Sequence, residues 1–230
     1  MSADATAAST LPAAMAFDEV QEQLIKAAAK MILAVIVGVL AIAYFMWPSK
    51  AATARKLITR DRRSVIKYAG KAPAAVVQRA LEAAIHAPNH FLNEPWRFRI
   101  LGPETVKKIT ALNDTKKDLF DGVPGWLLVS VVPTAGDTLW NPKALEDHAA
   151  TACAVQNFML SLAAEGCASK WMTGAMGIPP AKLMELAGAD ATAESFMGII
   201  FFGKPATPTG AMGVPKRKVG LGEPVLTTLP

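Results

Sequence analysis

The chain contains few of the side chains on which metal sites and disulfide frameworks depend. Its 230 residues include two cysteines, Cys153 and Cys167, and three histidines. The cysteines do not form a CxxC motif, which argues against a disulfide scaffold and favours a reducing compartment. The one acidic–histidine cluster, Glu146–His148, is interpreted as exposed residues at the start of a helix, where acids favour the helix dipole. We therefore predict no metal site.

The sequence motifs of several enzyme classes are also missing. There is no GxSxG nucleophile motif, no GxxxxGK[ST] phosphate loop, no GxGxxG after a predicted strand and no HExxH. These absences argue against serine hydrolases, phosphate-loop enzymes and zinc peptidases. No basic stripe interleaved with aromatic residues and no zinc-finger spacing is present, so we predict no nucleic-acid partner.

Charged residues are absent from one long apolar stretch. Residues 31–47 read MILAVIVGVLAIAYFMW, and seventeen helical residues span about 25 Å, at the lower limit for crossing a bilayer. Tyr44 and Trp47 lie at one end, where interfacial aromatics are expected, and Pro48 ends the helix. A signal peptide would have its apolar core nearer the N-terminus, and a buried helix is rarely apolar on every face. We predict a transmembrane helix over residues 27–48, in contact with membrane lipid.

The net charge of +5 is unevenly divided along the chain. Residues 1–30 contain more acids than bases, whereas six lysine and arginine residues lie between positions 50 and 63. By the positive-inside rule, this predicts a single-pass membrane protein whose domain lies on the cytosolic side or in an equivalent compartment. The basic run can also attract anionic lipid. We predict a mostly disordered tail over residues 1–26, a linker over 49–60 and a folded domain over 61–230.

Apolar periodicity predicts alternating helices and strands in the folded domain. Apolar spacings of three and four indicate a helix, alternation indicates a half-buried strand, and a continuous apolar run indicates a strand buried on both faces. This order indicates an α+β domain with a small sheet beneath one long central helix. The predicted helices cover residues 74–87, 103–112, 145–165 and 180–187, and the predicted strands cover residues 96–101, 126–132 and 196–203.

Three polar segments lie where a purely structural explanation does not need them. Residues 60–68, RDRRSVIKY, combine guanidinium groups with a hydroxyl, which suits a phosphate monoester, although the same run flanks the membrane helix. Residues 87–98, APNHFLNEPWRF, contain a rigid loop that suits a flat ligand or an ordinary helix–strand connection. Residues 170–174, KWMTG, are predicted as a loop in which a glycine lets a ligand approach the backbone, or simply as the end of a helix.

In this order and spacing, the three segments resemble those of the nitroreductase family of FMN flavoproteins. The opening RRSxxxY is followed by APxHxxxxPWRF, the long helix with VQNFMLSLAAEG, the WxTG loop, the strand IIFFGKPA and a basic C-terminal cluster. The resemblance covers residues 55–220 and is greatest to the short, minimal branch of the family. It implies an α+β nitroreductase-like fold, normally a homodimer with FMN at the subunit interface.

The resemblance also implies which residues bind the cofactor. One group would hold the FMN phosphate and ribityl chain, a second would line the isoalloxazine ring, a third would present backbone to the flavin N5 edge, and a fourth would complete the phosphate site. In this order the groups are Arg62, Arg63 and Ser64; Pro88, Asn89 and His90; Thr173 and Gly174; and Lys216, Arg217 and Lys218.

The implied reaction is transfer of a hydride from NADH or NADPH, through FMN, to a nitroaromatic, a quinone or a similar small acceptor. No catalytic side chain is expected, because the flavin carries out the chemistry. Three departures from the family pattern leave a second hypothesis open: Ile66 replaces a basic residue, Leu92 replaces an asparagine, and residues 113–124 are short. The alternative is a flavin-free accessory subunit of a membrane complex, in which Gly38 permits close helix contact.

Overall fold

The structure is a computed structural model of the chain, and it divides into two compact units, residues 1–53 and 54–230. Trp47, one of the predicted interfacial aromatics, and residues 1–10 of the predicted tail lie outside the described part of the chain. The structure describes residues 11–46, 48–120, 122–136, 142–217 and 225–226.

The N-terminal unit contains one continuous helix, α1, from Leu11 to Met46. Residues Glu19–Tyr44 of this helix have a mean hydropathy of 2.3 and are exposed throughout, so this part is long and apolar enough to cross a membrane. The helix begins well before residue 27, which differs from the predicted disordered tail. The reason is that residues 13–37 contain no proline or glycine and are rich in strong helix formers.

The predicted linker, residues 49–60, is largely helical. Helix α2 covers Lys50–Lys56, and a π-helical turn follows at Leu57–Asp61. The Ser49 hydroxyl accepts a hydrogen bond from the Ala52 backbone N–H at 3.1 Å, which satisfies a donor at the start of α2. This cap and the alanines of α2 explain why the segment is not extended.

The folded unit alternates helices and strands, and the seven predicted elements are present with ends shifted by at most two residues. Two further strands, β1 and β4, were not predicted. The helices are α3 (Ala74–Ile85), α4 (Pro103–Thr110), α5 (Lys117–Phe120), α6 (Lys143–Ala164) and α7 (Pro180–Leu186), and the strands are β1 (Tyr68–Gly70), β2 (Trp96–Ile100), β3 (Gly125–Val131), β4 (Ala168–Met172) and β5 (Ser195–Pro205).

Most of the sheet is attached to β5, which pairs antiparallel with β1, β3 and β4, while β2 pairs with β3. β3 is buried over Trp126–Val131, as expected for a central strand. β4 takes up much of the segment predicted as a loop. It forms a strand because its backbone pairs with β5, from Ala168 opposite Gly203 to Met172 opposite Ile199. Five residues without a periodic pattern could not have predicted that pairing.

A close approach between β4 and β5 requires a glycine at position 198. Gly198 has a left-handed φ of 141° and lies where the register between β3 and β5 shifts. A Cβ at this position would collide with the Trp171 indole nitrogen, which instead donates to the Met197 carbonyl oxygen at 3.0 Å. The bulge at Gly198 therefore allows the Trp171 ring to pack against the core.

The sheet separates two apolar cores. Leu127 and Val129 of β3 face the core beneath α3 and α6, whereas Trp126 and Leu128 face the core beneath α4 and α7. This alternation follows from the two-residue period of a strand. Phe158 of α6 is fully buried in the first core, so the long helix lies over the sheet as predicted.

The Phe158→Ala variant is expected to lose about 3–5 kcal/mol of unfolding free energy. Its ring is fully buried and meets Phe202 edge-on, with 5.8 Å between ring centroids, so the truncation leaves a cavity. Urea unfolding of the full chain in mild detergent measures the loss. Cys153→Ala, at an exposed position of the same helix, is the control and should change stability by less than about 0.5 kcal/mol. Equal effects would contradict this core.

Candidate functional site

The opening segment, residues 62–67, lies beside β4. Ser64 forms a parallel bridge with Ser169, and the Val65 backbone N–H donates to the Ser169 carbonyl oxygen at 3.1 Å. Val65 is buried and anchors the segment, whereas Ser64 remains exposed. The Tyr68 hydroxyl then donates to the Val65 carbonyl oxygen at 2.8 Å. Burial raises the pKa of this phenol, so Tyr68 stays protonated and keeps its role as donor.

Arg63 connects the opening segment to the C-terminal part of the chain. Its Nη2 donates to the Gly213 carbonyl oxygen at 2.6 Å, although the two residues are 150 positions apart. The predicted basic cluster begins three residues later, where Lys216 and Arg217 are exposed. The last member of that cluster, Lys218, lies outside the described residues. The structure therefore brings the opening motif to the segment that leads into the basic cluster.

β4 also connects Ser64 with the Thr173–Gly174 segment. Ser169, the partner of Ser64, precedes Thr173 by four residues, which is about 13 Å along a strand. Thr173 and Gly174 are exposed, and a Cβ on Gly174 would meet no heavy atom within 4 Å. The space above this glycine is open, and its backbone is accessible to a ligand.

Two polar residues that were not predicted from sequence lie close to the loop that follows Gly174. The Asn113 side-chain amide donates to the Met176 carbonyl oxygen at 2.7 Å. Lys116 Nζ lies 3.3 Å from the position that a Cβ on Gly177 would take. Met176 is buried with a left-handed φ of 59°, so the loop is held in an uncommon conformation. The polar run NDTKK is the signal that could have identified Asn113 and Lys116.

The proline loop, residues 88–94, lies at the first turn of α6 and has an unusual backbone. Phe91, Leu92 and Glu94 have left-handed φ angles of 48°, 56° and 45°, which cost energy in residues other than glycine. Asn89 closes the loop, because its side-chain oxygen accepts a hydrogen bond from the Glu94 backbone N–H at 3.1 Å. These contacts hold the loop in one defined conformation, and its rigidity stays a prediction.

Side chains of α6 hold the proline loop in place. His90 Nδ1 lies 3.5 Å from Glu146 Oε2, and the Asn93 amide donates to the Asp147 carboxylate. Asp147 Oδ2 also accepts a hydrogen bond from the Thr134 backbone N–H at 2.6 Å. Asp147 is 1% exposed, so the prediction that this acidic cluster faces solvent is wrong for Asp147. Two loops cover the first turn of α6, and these residues line a cavity of about 240 Å³.

Within the described ranges, no three histidine, cysteine or acidic side chains converge to hold a metal ion. His148 Nδ1 lies 2.6 Å from the Ala144 carbonyl oxygen of its own helix. Cys153 and Cys167 are both free thiols. Burial, with Glu165 nearby, raises the pKa of the Cys167 thiol and disfavours its reactive thiolate form.

The predicted cofactor residues therefore form two parts within one protomer. The first part contains the opening segment, the Thr173–Gly174 backbone and the start of the basic cluster. The second part is the proline loop with the first turn of α6. Among the residues that the structure describes, no hydrogen bond or ion pair joins the two parts. The first part offers cations and N–H donors, which suits an anionic ligand.

The fold matches that of solved nitroreductases. A nitroreductase-like protein of Bacillus cereus superposes with a TM-score of 0.62 at 22% identity, over 76% of this chain and 94% of that one. The FMN-dependent nitroreductase NfnB of Mycobacterium smegmatis, solved with NADPH, gives a TM-score of 0.63 at 16% identity, over 79% and 100% of the two chains. The fold is nitroreductase-like, which confirms the predicted fold class.

Sequence similarity defines the family as well as the fold. A protein of Bacillus subtilis (strain 168), provisionally named NAD(P)H nitroreductase YfhC, is 30% identical over an alignment of 135 residues, and the match covers 51% of this chain and 68% of the relative. A provisional nitroreductase of Desulfovibrio desulfuricans, solved in complex with FMN, is 26% identical with a TM-score of 0.60, over 74% and 96% of the two chains. No family model matches the chain. The chain belongs to the nitroreductase family, and the names of these relatives agree with the predicted class of FMN- and NAD(P)H-dependent oxidoreductases.

The environment of Asp147 predicts how stability depends on pH. Burial acts to raise the pKa of this carboxyl, but the hydrogen bonds from Thr134 and Asn93 outweigh it and the net pKa is lowered. A lowered pKa in the folded state stabilises the protein above the ordinary carboxyl pKa. This stabilisation is lost as the pH falls through the lowered value.

Asp147→Asn is expected to lose about 1–3 kcal/mol of unfolding free energy at neutral pH. The new side-chain NH2 group would face the Asn93 amide or the Thr134 backbone N–H, and both of these are donors. The difference from the parent should shrink as the pH becomes acidic, since only the parent loses an ionised carboxylate. Urea unfolding at a series of pH values measures both effects. Asp118→Asn, at an exposed position, is the control. A difference that grows at acidic pH would contradict the lowered pKa.

Proposed function

We propose that this chain is a membrane-tethered, FMN-dependent oxidoreductase that passes a hydride from NADH or NADPH to a nitroaromatic, a quinone or a similar small acceptor. Membership of the nitroreductase family supports the class of reaction. The FMN complex of the Desulfovibrio desulfuricans relative and the name of the Bacillus subtilis relative support the cofactor and the reductant.

One observation carries the proposal: the opening segment contacts both β4, which leads to Thr173 and Gly174, and the C-terminal segment, which leads to the basic cluster. Ser64 pairs with β4 through Ser169, and Arg63 binds the C-terminal segment through Gly213. These contacts join residues that are more than one hundred positions apart in sequence. A purely membrane-flanking basic run would not need either contact.

The donors in this part fit a dianionic phosphate. Arg63 uses Nη2 for the Gly213 carbonyl oxygen, so its other N–H groups, the Arg62 guanidinium and the Ser64 hydroxyl remain as donors. Arg62 and Arg63 are half-buried, which limits the conformations they must give up on binding. Lys216 and Arg217 are exposed a few residues beyond Gly213 and would add positive charge. Lys218, which lies outside the described residues, keeps its predicted role in completing the phosphate site.

The open backbone at Thr173 and Gly174 fits the edge of a flat ring. Asn113 and Lys116 support the loop that follows, and the Lys116 ammonium adds a positive charge beside it. When bound, FMN supplies the two-electron chemistry. The residues of the chain then bind and orient the cofactor and need not include an acid–base pair.

A homodimer would complete the site, because no hydrogen bond or ion pair among the described residues of one protomer joins the ring-lining loop to the first part. In the proposed dimer, Pro88, Asn89 and His90 of one copy approach the first part of the other copy. Phe91 and Leu92 of the same loop are 91% and 80% exposed in the protomer. Large apolar side chains on a rigid loop favour burial against a partner.

The tether is proposed from α1 and the charges that follow it. Residues Glu19–Tyr44 are long and apolar enough to span a bilayer. Lysine and arginine residues follow within a short distance, which by the positive-inside rule supports a domain on the cytosolic or equivalent side. Such a tether would hold the folded unit at the membrane, in which an apolar acceptor such as a quinone would be concentrated.

A flavin-free accessory subunit is the competing hypothesis. Ile66, which stands where the family usually has a basic residue, is 54% exposed and adds no charge to the first part. FMN binding by the purified chain separates the two hypotheses, because an accessory subunit would stay colourless with excess FMN.

Arg62→Gln is expected to weaken FMN binding by roughly 10- to 100-fold, since a charged hydrogen bond contributes about 1.5–3 kcal/mol. Riboflavin, which lacks the phosphate, should bind the variant and the parent almost equally. Fluorescence titration of the full chain in mild detergent measures both affinities. Arg55→Gln, at an exposed position of α2, is the matched control. Equal loss of both ligands would mean that Arg62 acts on the fold and not on the phosphate.

The full chain is expected to stay with vesicles after an alkaline carbonate wash. The double variant Ile36→Arg, Leu40→Arg should be released from the vesicles by this wash, because each charge at the centre of a span costs about 2.5–3.5 kcal/mol. Gln23→Arg, outside the most apolar part, is the control and should stay bound.

Protease added to sealed vesicles of known sidedness should digest the domain from the cytosolic face. Digestion from the opposite face alone would overturn the proposed orientation.

A further inference from the structure

α1 is longer than a bilayer is thick. Its 36 residues extend about 54 Å, whereas a bilayer core is about 30 Å thick. The charged residues of this helix, Asp18, Glu19, Glu22, Lys26 and Lys30, all precede the uncharged residues 31–46. The part that contains them, the projecting half, therefore extends beyond the apolar layer, and its Val20 and Leu24 side chains are 58% and 64% exposed.

The charges of the projecting half share one face of the helix. From Glu19 they follow one another in a row at spacings of three, four and four residues, and Asp18 lies four residues before Glu22, which places them all on this face. Glu22 and Lys26 form an ion pair at 2.6 Å within this row. This face of the helix is therefore polar and suits contact with water.

A second row of residues alternates spacings of four and three without interruption. This alternation is the heptad pattern that packs one helix against another of the same kind. The row begins in the projecting half and continues into the apolar span, where its residues become small. It consists of Val20, Leu24, Ala27, Met31, Ala34, Gly38 and Ala41.

We propose that α1 pairs with α1 of a second copy of this chain, as a parallel two-helix coiled coil along this row. The positions beside the row in the projecting half include Gln21 and Gln23, which are uncharged and so do not repel the same residues of an identical neighbour. Asp18, Glu19, Glu22 and Lys26 lie outside the contact, and Lys30 borders it. Small residues at Ala34, Gly38 and Ala41 let the two backbones approach closely within the membrane.

The parallel orientation follows from the tether, because two identical chains enter the same membrane in the same direction. The inference rests on the proposed function for the tether alone and does not require FMN. If the folded units also dimerise, each dimer holds two copies of α1 at high local concentration, which favours their pairing.

Disulfide cross-linking along consecutive positions of α1 tests the pairing. The background is the full chain with Cys153→Ser, since Cys153 is exposed whereas Cys167 is buried. Single cysteines replace each residue from Glu19 to Ala27, the chain is reconstituted in vesicles, and cross-linked dimer is measured after mild oxidation. Yields at Val20, Leu24 and Ala27 should be several-fold higher than at positions of the charged row. Uniform yields, a maximum on the charged row, or no cross-link at any position would each overturn the proposal.

A second pair of variants tests the heptad directly. In the Ala27→Cys chain, Leu24→Lys should lower the cross-link yield several-fold, because it places a charge in the contact. Ile25→Lys places the same charge one position away and outside the row, and should leave the yield unchanged. Equal effects of the two would overturn the pairing. Flotation of the vesicles tests the tether separately, so failure of the tether and failure of the pairing are distinguishable.

Discussion

The backbone hydrogen bonds of β5 hold the folded unit together. This strand, Ser195–Pro205, pairs with three other strands, and its alternate side chains enter the two cores on opposite faces of the sheet. Residues 168–172 form β4 because their backbone pairs with β5. The opening segment in turn pairs with β4 through Ser64 and Ser169. The position of the candidate phosphate-binding residues is thus a consequence of strand pairing at the C-terminal end of the domain, far from them in sequence.

The two parts of the candidate site differ in how they are held. The first is fixed by backbone pairing and by the Arg63 contact with Gly213, which uses one guanidinium N–H group. The second is a loop with left-handed residues, kept in place by Asn89 and by the buried Asp147. In the proposed homodimer, parts that are already held in place would need little reorganisation on association.

Sequence patterns located most of the helices and strands but did not reveal the pairing of β1 and β4 with β5. Strong periodicity or continuous apolar runs identified α3, α6, β3 and β5 to within two residues, because burial imposes that periodicity directly. β1 and β4 are short and carry no pattern, since their strand character depends on an edge provided elsewhere. Asp147 was assigned to solvent because its helix position alone favours exposure, whereas two distant loops cover it. Asn113 and Lys116 were missed because nothing in their local sequence shows what they contact.

The sequence by itself determined the long apolar helix and the order of the main helices and strands, because these depend on composition and periodicity, and its motifs resemble those of the family. The tertiary structure alone decided that the Arg63 guanidinium meets Gly213, that Asp147 is buried, and that the proline loop contacts the first turn of α6. Each of these depends on contacts between residues far apart in the chain, and the free energy of such contacts leaves no trace in a local pattern.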